Sequence, residues 1–248
     1  MGFIEKSRGR CPPHVGVTTR GSISNSTTFC LITTPFYKNH PFPSPADIII
    51  EVSHPLTLQT YSQQILSCAD LFIGSPTAIA DPETEASIKT HAKTYERRVF
   101  IGRGALFAAD DIKAMSDSNT LKSLTITMTK HPSHLHVLGG LIELRDLALK
   151  ENRKIVLYEG PVRGLCEFAP KNVNTMATAS FAASCLGLDK VVGRLVADPA
   201  IGAFHQVFIE IEGPMQEDGR KFTCVIDRMN PATMGQVTGK QTYRTKLS

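Results

Sequence analysis

His205 follows the run Ala197-Asp198-Pro199 and opens Gln206–Glu212, where Val207, Ile209 and Ile211 alternate with Phe208, Glu210 and Glu212. Period-two alternation predicts a strand with one apolar face. His205 shares the parity of that face and stands at its mouth. An imidazole with a reference pKa near ~6.5 can act as acid or base at neutral pH, although a lone histidine in such a place is more often structural. Upstream lies Pro170-Lys171-Asn172-Val173-Asn174. Asn174 reads as the N-cap of a helix over about Thr175–Cys185, because its side-chain oxygen can accept an orphan backbone N–H. Lys171 beside the positive end of that helix makes an anion site; the bland alternative is a capped core helix. His131, His134 and His136 resemble a metal cluster. No carboxylate or cysteine stands at a zinc-site spacing, so a solvated loop is expected and no metal.

The elements that must position these groups fall into two series. Asp47–Ser53 is a short apolar run of the buried parallel-strand kind. Pro55–Ser67 reads as a helix, Leu71–Gly74 as a strand, and Asp81-Pro82 as the cap and first turn of a helix to about Tyr95. Arg98–Gly102 is a third strand. This order implies right-handed crossovers and a parallel sheet, with ligands expected at the strands' carboxyl ends. Those ends are Ser53-His54-Pro55, Gly74-Ser75-Pro76 and Gly102-Arg103-Gly104-Ala105. The last is not a dinucleotide fingerprint, since Phe107 occupies the third glycine position. A second series adds strands at Leu121–Met128, Lys154–Leu157, Val191–Ala197 and Phe222–Ile226, with a helix at Leu138–Lys150. The expected class is α/β: an incomplete Rossmann-like parallel sheet (47–112) followed by an α+β catalytic and dimerisation domain (113–228) and a tail (229–248).

Residues 1–46 hold Pro12, Pro13, Pro35, Pro41, Pro43 and Pro45 and show no helical periodicity, so an irregular segment is expected. A fingerprint G-x-G-x-x-G could be sought at Thr19-Arg20-Gly21-Ser22-Ile23-Ser24, but Thr19 and Ser24 put side chains where backbone should meet phosphate. The strand at Asp47 would then lose a neighbour and leave an apolar edge.

The formal net charge is +4 with no basic block, which suggests neither nucleic-acid nor membrane binding. The six cysteines form no C-x-x-C pair, and no apolar run is long enough to span a bilayer. A reducing, cytoplasmic setting is the expectation.

Taken together, Leu157-Tyr158-Glu159-Gly160-Pro161-Val162-Arg163-Gly164, the Pro-Lys-Asn-Val-Asn run, Ala197-Asp198-Pro199 with His205, and Asn230-Pro231 resemble the L-aspartate dehydrogenase family, and its animal branch most. The resemblance covers about Asp47 to Thr238. It implies NAD- or NADP-dependent oxidative deamination of L-aspartate, through an imine, to oxaloacetate and ammonia, within amino-acid metabolism and NAD biosynthesis. It makes His205 the active-site histidine, gives Ala105 and Asn174 to the cofactor, and implies a homodimer. A substrate with two carboxylates calls for cations, and Lys171, Arg163 and Lys130 are the candidates. Two alternatives stay open. One is a catalytically silent, dimeric relative that binds a ligand or partner. The other is a different α/β dehydrogenase group, such as the homoserine dehydrogenase-like or dihydrodipicolinate reductase-like enzymes, against which His205 after Asp198-Pro199, together with Asn174, argues.

Overall fold

β-Branched and aromatic runs alternate with capped helical stretches from Thr27 to Gly102, and this pattern builds the first of two compact units, divided between Gly102 and Arg103. The computed structural model describes residues 17–24, 27–32, 46–104 and 106–237. In this unit the strands are β1 (Val17–Ser24), β2 (Thr27–Ile32), β3 (Ile48–Glu51), β4 (Asp70–Ile73) and β5 (Val99–Ile101). Helices α1 (Pro55–Cys68) and α2 (Pro82–Thr94) form the crossovers. The sheet order is β1-β2-β3-β4-β5, antiparallel at the first pair and parallel thereafter. Asp81 caps α2 as expected, its Oδ2 accepting from the Thr84 N–H at 2.9 Å.

The expectation of an irregular segment over 1–46 is corrected here. Two strands stand in it, and β2 pairs with β3 in parallel from Phe29↔Ile48 to Ile32↔Glu51. The apolar edge of β3 is therefore covered. Threonines that read as loop residues by composition are good strand formers once a neighbouring strand supplies the ladder.

The second unit contains α3 (Ala109–Asp117), β6 (Ser123–Lys130), α4 (Leu141–Glu151), β7 (Ile155–Pro161), α5 (Val162–Phe168), α6 (Asn174–Ala182), α7 (Gly187–Lys190), β8 (Val192–Ala197), β9 (Phe204–Met215) and β10 (Lys221–Pro231). Its mixed sheet runs β10-β9-β6-β8-β7. Helices α4 and α5 pack on β7, and α5 also reaches β8. The core face carries Leu124, Ile126, Met128, Leu195, Val207 and Ile209, all buried. Two helices escaped the sequence reading because they are short: α5 and α7. The strand expected to stop at Ile226 continues through Pro231, because every residue from Thr223 has a partner on β9. No described helix is long and apolar enough to cross a membrane.

Family-like motifs in this unit have local structural reasons. The Tyr158 hydroxyl donates to the Pro161 carbonyl at 2.8 Å, and a Cβ on Gly164 would lie 2.7 Å from that hydroxyl oxygen. Glu159 takes two bonds from Arg194 on the neighbouring strand.

Candidate active site

Register brings the chemistry-bearing residues together. Lys130 ends β6 and stands opposite His205 on β9; His205 stands opposite Asn230 on β10. Cross-strand partners share a face, so Lys130, His205 and Asn230 form one row across three strands. All three are buried. The Asn230 amide nitrogen donates to the His205 backbone carbonyl at 3.2 Å. The Lys130 carbonyl accepts from the Asp198 N–H at 2.9 Å, which ties the Ala197-Asp198-Pro199 turn to the row.

Two residues complete the site from outside the sheet. His134 lies in the short turn Pro132–His134, with Nδ1 3.0 Å from His205 Nε2 and the rings edge-on at 4.9 Å between centroids. Its own Nε2 is buried and has no hydrogen-bond partner. Asn172, from the Pro-Lys-Asn-Val-Asn run, donates from its amide to the His136 carbonyl at 2.6 Å and accepts from Lys130 Nζ at 3.4 Å. Lys130 Nζ reaches the Val237 carbonyl at 3.1 Å and the Asn172 carbonyl at 3.5 Å.

These partners are neutral, and this sets the electrostatics. Among the described residues no carboxylate pairs with Lys130. Burial alone pulls its ammonium down to about 7, as expected for a desolvated lysine. His205 is held down at about 3, first by burial, then by the positive charges of Lys130 and His134; a backbone hydrogen bond with Gln236 works the other way. Burial, then His131 and Lys130, lowers His134 as well. Across neutral pH His205 is thus an uncharged ring beside an ammonium poised to lose its proton.

A further cation shares the sheet face. Arg228 on β10 stands opposite Val207, one step along the same face from Asn230–His205. Its guanidinium lies over the Phe107 ring at 4.6 Å. Nε, Nη1 and Nη2 are all buried, and none has a hydrogen-bond partner among the described residues.

The other residues singled out from sequence fall elsewhere. Arg163, on α5, makes a bidentate pair with Asp189 (Nε–Oδ1 2.6 Å, Nη2–Oδ2 2.9 Å). Lys171 is exposed. Asn174 is also exposed and is not the cap: Val173 is the N-cap and Asn174 the first residue of α6. The reason is that the preceding turn is fixed by Asn172, whose side chain faces inward. Ala105 lies outside the described residues. His131, His134 and His136 divide by burial: His136 is exposed and His131 bonds Ser133, whereas His134 is 0% exposed. The solvated-loop reading is corrected for His134. Among the described residues no group of three His, Cys, Asp or Glu could hold a metal ion. Asn172 and His134 were missed as site residues, since their chain positions give no hint of the contacts.

Residues 111–248 match the family described as "Aspartate dehydrogenase, C-terminal". The chain is 45% identical to an aspartate dehydrogenase domain-containing protein of Xenopus tropicalis, over 80% of this chain and 69% of that one. It is 44% identical to the protein of that description from Danio rerio, with the same coverage. The chain belongs to the aspartate dehydrogenase family. Aspartate dehydrogenase from Thermotoga maritima shares the fold at a TM-score of 0.60 and 25% identity, over 77% of this chain and 72% of that one. An oxidoreductase family thus accounts for the α/β architecture, with its Rossmann-like first part.

Members of nicotinamide-dependent families need a turn that grips pyrophosphate with glycine backbone and a helix N-terminus. In this aspartate dehydrogenase relative the first backbone N–H groups after β3 are taken by the protein itself. Buried Glu51 Oε1 accepts from the Ser53 and His54 N–H groups at 2.7 and 3.0 Å, and burial pushes the carboxyl up. A Cβ on Gly74 would meet the Glu51 carbonyl oxygen at 2.5 Å, so this glycine serves protein packing. The sequence leaving β2, positions 33–45, contains no glycine and four prolines. Proline has no N–H to offer a phosphate. These residues do not fit the pyrophosphate-gripping turn.

Proposed function

We propose that this chain is an L-aspartate dehydrogenase-like oxidoreductase whose second unit handles the substrate: L-aspartate, the derived imine, and oxaloacetate. NAD or NADP is the proposed cofactor and would supply the hydride acceptor of such a reaction. The observation that carries the reading is the buried Lys130–His205 pair, a cation with no carboxylate partner among the described residues beside a neutral imidazole. A carboxylate of the substrate beside Lys130 supplies the missing counter-charge. It also lifts the positive field that depresses His205, so the ring gains basicity once substrate is bound. His205 is then the group that takes a proton from the amine or from the water that attacks the imine. Asn172 and Asn230 fix the ammonium and the His205 backbone. Asn174 and Ala105 are assigned to the nicotinamide end by family likeness.

The protein is further proposed to act in the cytoplasm as a homodimer formed through the outer face of the second sheet. Val225 and Met229, 59% and 48% exposed on the edge strand, support this. The glycine-free sequence at positions 33–45, after β2, favours a second reading, a dimeric relative that binds the dicarboxylate without turning it over. Aspartate-dependent reduction of NAD or NADP by the full chain separates the two. Turnover that falls by about 100-fold or more in His205→Ala supports the dehydrogenase. Absence of turnover together with absence of NADH and NADPH binding leaves the silent relative.

A further inference from the structure

We propose that Arg228 is the second anchor of the site, holding the far carboxylate of a four-carbon dicarboxylate whose near carboxylate meets Lys130. This inference rests on the substrate class proposed above. It starts from two charges without counter-charges. Among the described residues Lys130 bonds three neutral oxygens, and Arg228 bonds none. Each is desolvated with no acid beside it among the described residues. An unpaired buried charge is strongly unfavourable, and two on one face are worse. A bound dianion removes both penalties at once; a monoanion removes one.

The geometry suits that ligand. Lys130 and Asn230 stand in one cross-strand row with β9 between them, and Arg228 lies two residues from Asn230 along β10. Strand spacings of ~4.8 Å and a rise of ~3.4 Å per residue put the Lys130 and Arg228 Cα atoms roughly 12 Å apart. Two long side chains reaching inward, with a four-carbon dianion between them, span such a gap. His205 stands on the strand between the two anchors, in the same row as Lys130 and one step along the face from the position opposite Arg228. The guanidinium carbon lies 4.6 Å from the Phe107 ring centroid, and the N–H groups have no partner among the described residues, so they are the donors for a bidentate carboxylate.

Arg163 and Lys171 do not meet these conditions. Arg163 already holds Asp189 bidentately, and Lys171 is solvated.

The test is calorimetric titration of the full chain with succinate and with butyrate, which differ by one carboxylate. Wild type is expected to bind succinate at least about tenfold more tightly than butyrate, as a charged hydrogen-bonded contact implies. Arg228→Met should erase that preference while leaving butyrate binding unchanged, which also shows that the variant is folded. Arg228→Lys should keep part of the preference. If Arg228→Met keeps the wild-type preference while Lys130→Met loses succinate, the anchor assignment is overturned and the reading of the Lys130 site stands. If wild type shows no preference and Lys130→Met changes nothing, both fail.

Discussion

Replacing Lys130 by methionine removes a buried amine whose pKa falls from 10.5 to about 7 on folding. Between those values the unfolded chain holds a proton that the folded chain has shed. Stability therefore rises with pH across this window and does not depend on this group outside it. Below pH ~7 the folded protein carries the charged ammonium and bears the whole penalty, on the order of 5 kcal/mol at 1.36 kcal/mol per unit. That is comparable to the net stability of many domains, about 5–15 kcal/mol, so the effect is large enough to measure. The Met side chain has no such dependence. The assay is urea unfolding of wild type and Lys130→Met at a series of pH values from about 6 to about 10.5, reading the difference so that other titrating groups cancel. The variant's advantage should be greatest near the acid end and shrink by roughly 5 kcal/mol toward the alkaline end. A difference that stays flat with pH refutes the reasoning, because it would mean that Lys130 is solvated or paired with an acid. Saturating succinate should stabilise wild type and leave the variant unchanged.

The His205 ring, held at about 3, should stay neutral through the usual histidine range. As pH falls below ~6.5 the unfolded ring protonates first, so this ring's share of stability is present above that value and lost as pH drops toward the folded value. Ring-carbon NMR shifts check this, and a midpoint near ~6.5 without ligand would contradict it. Gly74→Ala should destabilise the first unit by about 1–3 kcal/mol, because its Cβ meets backbone oxygen that cannot move aside. Thermal melting reads that change, and an unchanged midpoint would mean that β3 and β4 are looser than described.

The parallel strands from Ile48 to Ile101 were legible because each is a short apolar run bounded by a cap, a proline or a glycine. Asp81-Pro82 announced α2 for the same local reason. The alternation at β9 placed His205 on the inner face without any tertiary information. Strand β2 was not legible, because its threonines belong to strands only when a partner ladder exists, and that partner lies beyond the intervening chain. Asn174 attracted attention as a cap, yet Asn172 is the residue turned inward, a matter of where a turn of backbone points rather than of residue type.

By itself, the sequence determined the α/β class, the family, and the identity of His205 and Lys130 as groups with chemistry to offer. Periodicity and capping act over a few residues and are written into the chain. Only the tertiary structure decided that Lys130 stands opposite His205, that the turn at Pro132–His134 brings the His134 ring against the same imidazole, and that Arg228 lies without a hydrogen-bond partner among the described residues on the same face while Arg163 is paired with Asp189. Register between strands distant in sequence sets those neighbours, and burial turns them from ordinary cations and imidazoles into groups with altered proton affinity.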